Sequence, residues 1–114
     1  MAKNVCQHAK NFPQYSAIVN QIQRSAISIP SNIAEGTGRV SSKDQAHFFT
    51  IAYGSLMEVQ CLLDISTDLG YLTREAYNLC NGYIQRIALM INKLYRIRKT
   101  VKIGEISVKN DENR

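Results

Sequence analysis

Between Ala76 and Gly104 the chain carries Arg86, Lys93, Arg96, Arg98, Lys99 and Lys102 and not one aspartate or glutamate. Cationic side chains at that density attract phosphates by Coulomb attraction and by charge-assisted hydrogen bonds. On a helical wheel Arg86, Lys93 and Arg96 fall opposite the apolar positions of the same segment, and Lys99 extends the set, so they form one solvated basic face. The chemistry this predicts is contact with the sugar-phosphate backbone of RNA or DNA, without reading of base sequence. The plainer account is that lysine and arginine late in a helix complement its dipole and keep the protein soluble. Tyr95 beside Arg96 could stack on a base, but a tyrosine at the edge of an apolar stripe is more often packing.

A second set of polar residues sits among apolar ones. The stretch SIPSNIAEGTGR, Ser28 to Arg39, places Pro30, Asn32 and Glu35 in a helical pattern; Arg24 precedes them, and Ser55 and Glu58 come from the next helix. Polar groups in a core need partners. Arg24, Asn32, Glu35, Ser55 and Glu58 therefore read as a structural network that fixes helix register, with Arg24 or Arg39 available to the Glu58 carboxylate. Pro30 donates no backbone hydrogen bond and crowds the carbonyl of Ala26, which predicts a kink or restart there.

Other chemistry has little support. Cys6 and His8 are two potential metal ligands near a terminus, too few for a site, and neither metal nor cofactor is expected. His47 follows Arg39 with seven residues between them. Helical ribonucleases of the HEPN type resemble this loosely but use a tighter spacing, so His47 is expected to pack or cap at its helix start. No strand precedes a glycine-rich phosphate loop. No catalytic residue is assigned, and the protein is expected not to be an enzyme.

The elements that hold these residues are helical. Pro13 is expected to close a short first helix, roughly Ala2 to Asn11. A second pattern starts near Gln14 or Ser16 and continues through Ile18, Ile22, Ala26 and Ile29 to the break at Gly36 and Gly38. Ser41 or Ser42 reads as the N-cap of a third helix, with Asp44 in its first turn. Its seam is Phe48, Ala52, Ser55, Val59, Leu62, Ser66 and Leu69, in a four-three rhythm, and Gly70 ends it. Thr73 caps a fourth helix whose apolar stripe is Cys80, Tyr83, Ile84, Ile87, Met90, Ile91 and Leu94, fading near Arg98. Residues 1–102 thus read as an antiparallel up-and-down four-helix bundle with a shortened first helix, and residues 103–114 as a disordered tail.

At 114 residues and a formal net charge of +5, the chain suits a single domain. The longest uninterrupted apolar run is a few residues, so no membrane span is expected, and the start MAKNVCQHAK lacks the apolar core of a secretory signal. Cys6, Cys61 and Cys80 are odd in number and far apart, which suits free thiols in a reducing cytoplasm.

The run QIQRSAISIPSNIAEGTGR, followed by SSKDQAHFFTIAYGSLMEVQCLLDISTDLGYL, resembles the bacterial four helix bundle family, also called the ribosomal RNA intervening-sequence proteins. The motifs cover about Gln21 to Leu72, and the fourth helix agrees in pattern. The resemblance implies an antiparallel four-helix protomer assembled as a ring-shaped pentamer. Some genes of the family lie within insertions in large-subunit ribosomal RNA genes. A distant relative is a nucleic-acid-binding accessory of the reverse transcriptase in diversity-generating retroelements. This chain departs from the pattern before the FP dipeptide, where only twelve residues precede Pro13, and after it, where the link is compressed to QYS.

Together these observations predict a self-associating, non-enzymatic helical adaptor that touches RNA or DNA through the last helix. The alternative is a structural oligomer, or a scaffold for a partner protein, with no nucleic-acid role.

Overall fold

The computed structural model describes the backbone of residues 12–112 and the side chains of residues 13–97. Among these residues the architecture is all-α, with three helices and no strand: α1 is Phe12–Thr37, α2 is Ser42–Asp68 and α3 is Arg74–Glu112. The expected first helix, Ala2 to Asn11, lies outside the described residues.

Local chemistry sets the helix ends. The Ser41 hydroxyl accepts a hydrogen bond from the Asp44 N–H at 3.1 Å and caps α2. Gly70, at φ 80°, lies just past the end of α2, in the left-handed conformation that glycine adopts without steric cost. Thr73 Oγ1 then accepts from the Ala76 N–H at 3.1 Å and starts α3. The tight connections turn the chain back on itself. Tyr71, after α2, meets Tyr15 edge-to-face at 5.1 Å, so the start of α1 lies beside the end of α2.

Pro30 does not interrupt α1, which runs unbroken from Phe12 to Thr37. The expected restart is absent: the bond Pro30 cannot make is to the Ala26 carbonyl, and Ala26 and Pro30 are both exposed, so that carbonyl can turn to water. The Asn32 amide donates to the Ser28 carbonyl at 2.7 Å across the same turn. Pro13 likewise stands inside the first described turn of α1 rather than ahead of the helix. A proline costs little there, since a first-turn N–H has no partner in the helix.

α2 is the central element. α1 and α3 each pack on it, and no Cα of α1 comes within 8 Å of a Cα of α3. The core is built from Ile29 of α1, Phe49, Ala52, Leu56 and Val59 of α2, and Ile84 and Ile91 of α3. Each buried Phe, Leu or Ile contributes about 1.5–3 kcal/mol. The buried seam of α2 is Gln45, Phe49, Ala52, Leu56, Val59 and Ser66. Ala52, Val59 and Ser66 belong to the expected seam, but Phe49 and Leu56 replace Phe48 and Ser55. Packing on two sides explains the shift: Ser55 turns to α1, and Phe49 lies toward Ile91 of α3. In α1 the expected Ala26 is exposed and Ser25 is buried in its place.

Two further expectations change. From Gln45 to Leu63 the only Asp, Glu, Lys or Arg is Glu58. By length and composition α2 is apolar enough to cross a bilayer, although no single apolar run within it is long; here it is the helix that α1 and α3 cover. α3 continues past Lys102 to Glu112, so residues 103–112 of the segment expected as a tail are helical. At 39 residues α3 is about 58 Å long, against about 40 Å for the 27 residues of α2, so its last turns extend beyond its packing partner. Once a helix is nucleated, each added residue makes a hydrogen bond without a new nucleus.

Candidate nucleic-acid interface

The polar crossing between α1 and α2 is built from one face of α1. Residues 21, 25, 28 and 32 are spaced by three and four and therefore lie on one side of the helix. The Ser28 and Ser55 hydroxyls stand 2.8 Å apart and join the two helices. The Asn32 amide donates to the Ser28 hydroxyl at 2.9 Å as well as to its carbonyl. Higher on the same crossing the Gln21 amide donates to Glu58 at 2.7 Å.

The expected five-residue network is therefore two separate bridges. Asn32 and Ser55 meet through Ser28, and Glu58 takes Gln21 in place of an arginine. Glu35 stands apart and pairs with Arg39 at 2.6 Å, both exposed. Arg24 is exposed and has no hydrogen-bond partner among the described side chains. Arg24 and Glu35 lie on the same side of α1 as Gln21 and Ser28 but at its outer edge, where both are exposed and reach water rather than α2. Arg39 instead lies over the Phe48 ring at 4.8 Å, and His47 meets that ring edge-to-face at 5.6 Å. His47 packs there on the exposed side of α2, while Ser41 provides the cap.

α3 is pinned to α2 by polar contacts as well as by Ile84 and Ile91. Gln60 donates to Asn81 at 3.2 Å. The Tyr77 hydroxyl donates to the Asp64 carboxylate; that bond, then burial, raises the phenol pKa above its ordinary 10.0. These contacts fix which side of α3 is left uncovered.

Arg86, Lys93 and Arg96 are all exposed on that uncovered side. Among the described residues none of them has a carboxylate within ion-pairing distance. Arg86 lies across the ring of Tyr83, 5.6 Å from its centroid. The side chain of Lys99 lies outside the described residues. Charge is divided between helices: α2 carries Asp44, Glu58, Asp64 and Asp68, all exposed, against Lys43 alone. Past Arg74 and Glu75 in its first turn, α3 carries only positive charge through Ile97, and such a stretch attracts polyanions.

Apolar groups accompany the basic ones. Tyr83 and Met90, expected in the buried stripe, are 55% and 54% exposed, and Leu79, Leu89 and Ile97 are exposed beside them. Tyr95 lines a groove with Phe49, Tyr53 and Ile91 between α2 and α3. The exposed aromatic on the basic side is Tyr83, which periodicity alone assigned to the core.

Residues 1–93 match the sequence model of the 23S rRNA-intervening sequence protein family. The chain belongs to that family. The match extends on both sides of the motifs between Gln21 and Leu72 and reaches Lys93, so Arg86 and Lys93 lie within it and Arg96 and Lys99 beyond it. The family description carries no catalytic activity. No curated protein and no solved structure shows significant similarity to the chain.

Proposed function

We propose that this member of the intervening-sequence protein family is a non-enzymatic, cytoplasmic adaptor that self-associates and holds RNA or DNA along α3. The protomer of this reading is the up-and-down four-helix bundle, and its assembly is the ring-shaped pentamer that family resemblance suggests. One observation carries the nucleic-acid part: Arg86, Lys93 and Arg96 are exposed along α3, and among the described residues none of them has a carboxylate within ion-pairing distance. A ring repeats such a face and multiplies a weak contact through effective concentration.

The test is titration of the assembled protein with unrelated RNA and DNA strands at two salt concentrations, with its mass followed by light scattering. Replacing Arg86, Lys93 and Arg96 by glutamine is expected to weaken all strands alike. It should also flatten the dependence of log affinity on log salt by about two to three units. These side chains make no core contact, so folding and mass should be unchanged.

The exposed Leu79, Leu89 and Met90 favour a second reading, a scaffold that binds protein alone, since apolar groups on one helix side are typical of such surfaces. An intact oligomer with no salt-sensitive nucleic-acid binding would establish that reading instead.

A further inference from the structure

Gly82 and Tyr83 are neighbours on α3, and packing within the chain accounts for neither. Tyr83 is 55% exposed, although a tyrosine ordinarily buries most of its ring. Gly82 occupies a helix interior, where glycine is less favourable than alanine. A Cβ at that position would meet nothing within 4 Å, so no close approach inside the chain requires a glycine there. A shallow cleft opens at this point, lined by Asn78, Leu79, Gly82, Tyr83 and Arg86. The Arg86 guanidinium lies over the tyrosine ring.

We infer that this cleft is a stacking subsite for one unpaired nucleobase of a single-stranded RNA or DNA. The inference rests on the phosphate-binding role proposed for α3 and adds the class of strand it takes. The Tyr83 ring offers a π face that any base can cover. The absent side chain at Gly82 lets a flat ring approach the helix backbone. Asn78 is exposed at the cleft and carries both a donor and an acceptor for a base edge. Arg86 serves two groups, the tyrosine ring and the phosphate adjoining the stacked base. Lys93, about 10 Å further along the helix axis, continues the track for the backbone. A base inside a duplex is stacked on both sides and cannot occupy such a cleft, so the site selects unpaired strands.

The test uses the full chain, a mixed-sequence RNA strand and the same sequence as a duplex. Tyr83→Leu keeps an apolar group but removes the ring; it is expected to weaken single-strand binding about tenfold and to leave duplex affinity and salt dependence unchanged. Gly82→Leu should produce the same selective loss by filling the cleft, and Tyr83→Phe should retain binding. The chain contains no tryptophan, so Tyr83→Trp provides a single emission that the single strand should quench. Equal losses on both substrates, or no loss, overturn the subsite while leaving phosphate binding by α3 in place. A change in oligomer mass caused by Tyr83→Leu also overturns it, because Tyr83 then belongs to a contact between copies. Wild-type protein that binds no strand at all defeats the underlying reading, and the subsite with it.

Discussion

The Ser28 hydroxyl of α1 and the Ser55 hydroxyl of α2 stand 2.8 Å apart, and the Asn32 amide closes on Ser28 from the next turn. Removing one hydroxyl strands the others in a half-buried position, whereas removing both relieves the mismatch. Ser55→Ala is therefore expected to destabilise the fold by about 1 kcal/mol, and Ser55→Val by more, since its extra methyl also crowds Ser28. A double-mutant cycle with Ser28→Ala, measured by urea unfolding, should give a coupling of about 0.5–1 kcal/mol. The Gln21 to Glu58 bridge is the contrast, because Glu58 is exposed and its partner can return to water. Glu58→Gln and Glu58→Leu should each change stability by less than about 1 kcal/mol. A large loss from Glu58→Leu would show that water does not replace the carboxylate at that crossing.

Gly36, the glycine of NIAEG, marks where the end of α1 crosses the start of α2. A Cβ there would lie 2.9 Å from Phe49 Cε1, 3.0 Å from Phe48 Cβ and 3.1 Å from the Gln45 carbonyl oxygen. The carbonyl belongs to the helix backbone and Phe49 is fully buried, so neither can yield without moving α2. Gly36→Ala should destabilise by about 1–3 kcal/mol, despite the better helix propensity of alanine. Gly54→Ala is the matched control: a Cβ at Gly54 meets nothing within 4 Å, so thermal unfolding of that variant should occur at or above the wild-type temperature. A Gly36→Ala melting temperature equal to the control's would remove the close crossing as the reason for glycine.

Residues differ in how much of this was readable from the chain. Ser41, Gly70 and Thr73 act through their own neighbours in sequence, so their capping roles follow from local chemistry. The α2 seam was legible at Ala52, Val59 and Ser66 but not at Phe49, because a helix packed on two sides is apolar over a wide arc and its period does not say which part is buried. Tyr83 was hidden for the opposite reason: an apolar residue at core spacing looks the same whether or not another helix covers it. The partner of Glu58 depends on the rotation of α1, which presents Gln21 where charge alone suggested Arg24 or Arg39. Pro30 breaks the pattern on paper, but it and the Ala26 carbonyl it leaves without a donor are on the exposed side of α1, where water can serve that carbonyl and the helix passes through.

Tyr77 gives the junction of α2 and α3 a dependence on alkaline pH. Its hydroxyl donates to the Asp64 carboxylate; that bond, burial and the charge of Asp64 all raise its pKa above 10.0, against smaller opposing effects of Arg74 and Gln60. The unfolded chain therefore loses the phenolic proton first, and the folded chain holds it to higher pH. Where the folded state binds more protons than the unfolded state, stability falls as pH rises. The contribution of Tyr77 is fully present below the unfolded value near pH 10 and is lost as pH climbs through the raised folded value. Urea unfolding of wild type and of Tyr77→Phe, across about pH 9 to 12, isolates this group from the lysines that titrate in the same range. Wild type should lose stability more steeply than Tyr77→Phe, and Asp64→Asn should bring the two slopes together. Parallel slopes for wild type and Tyr77→Phe would mean that the Asp64 bond does not hold the proton and that α3 is secured by its apolar contacts and the Gln60 bond to Asn81.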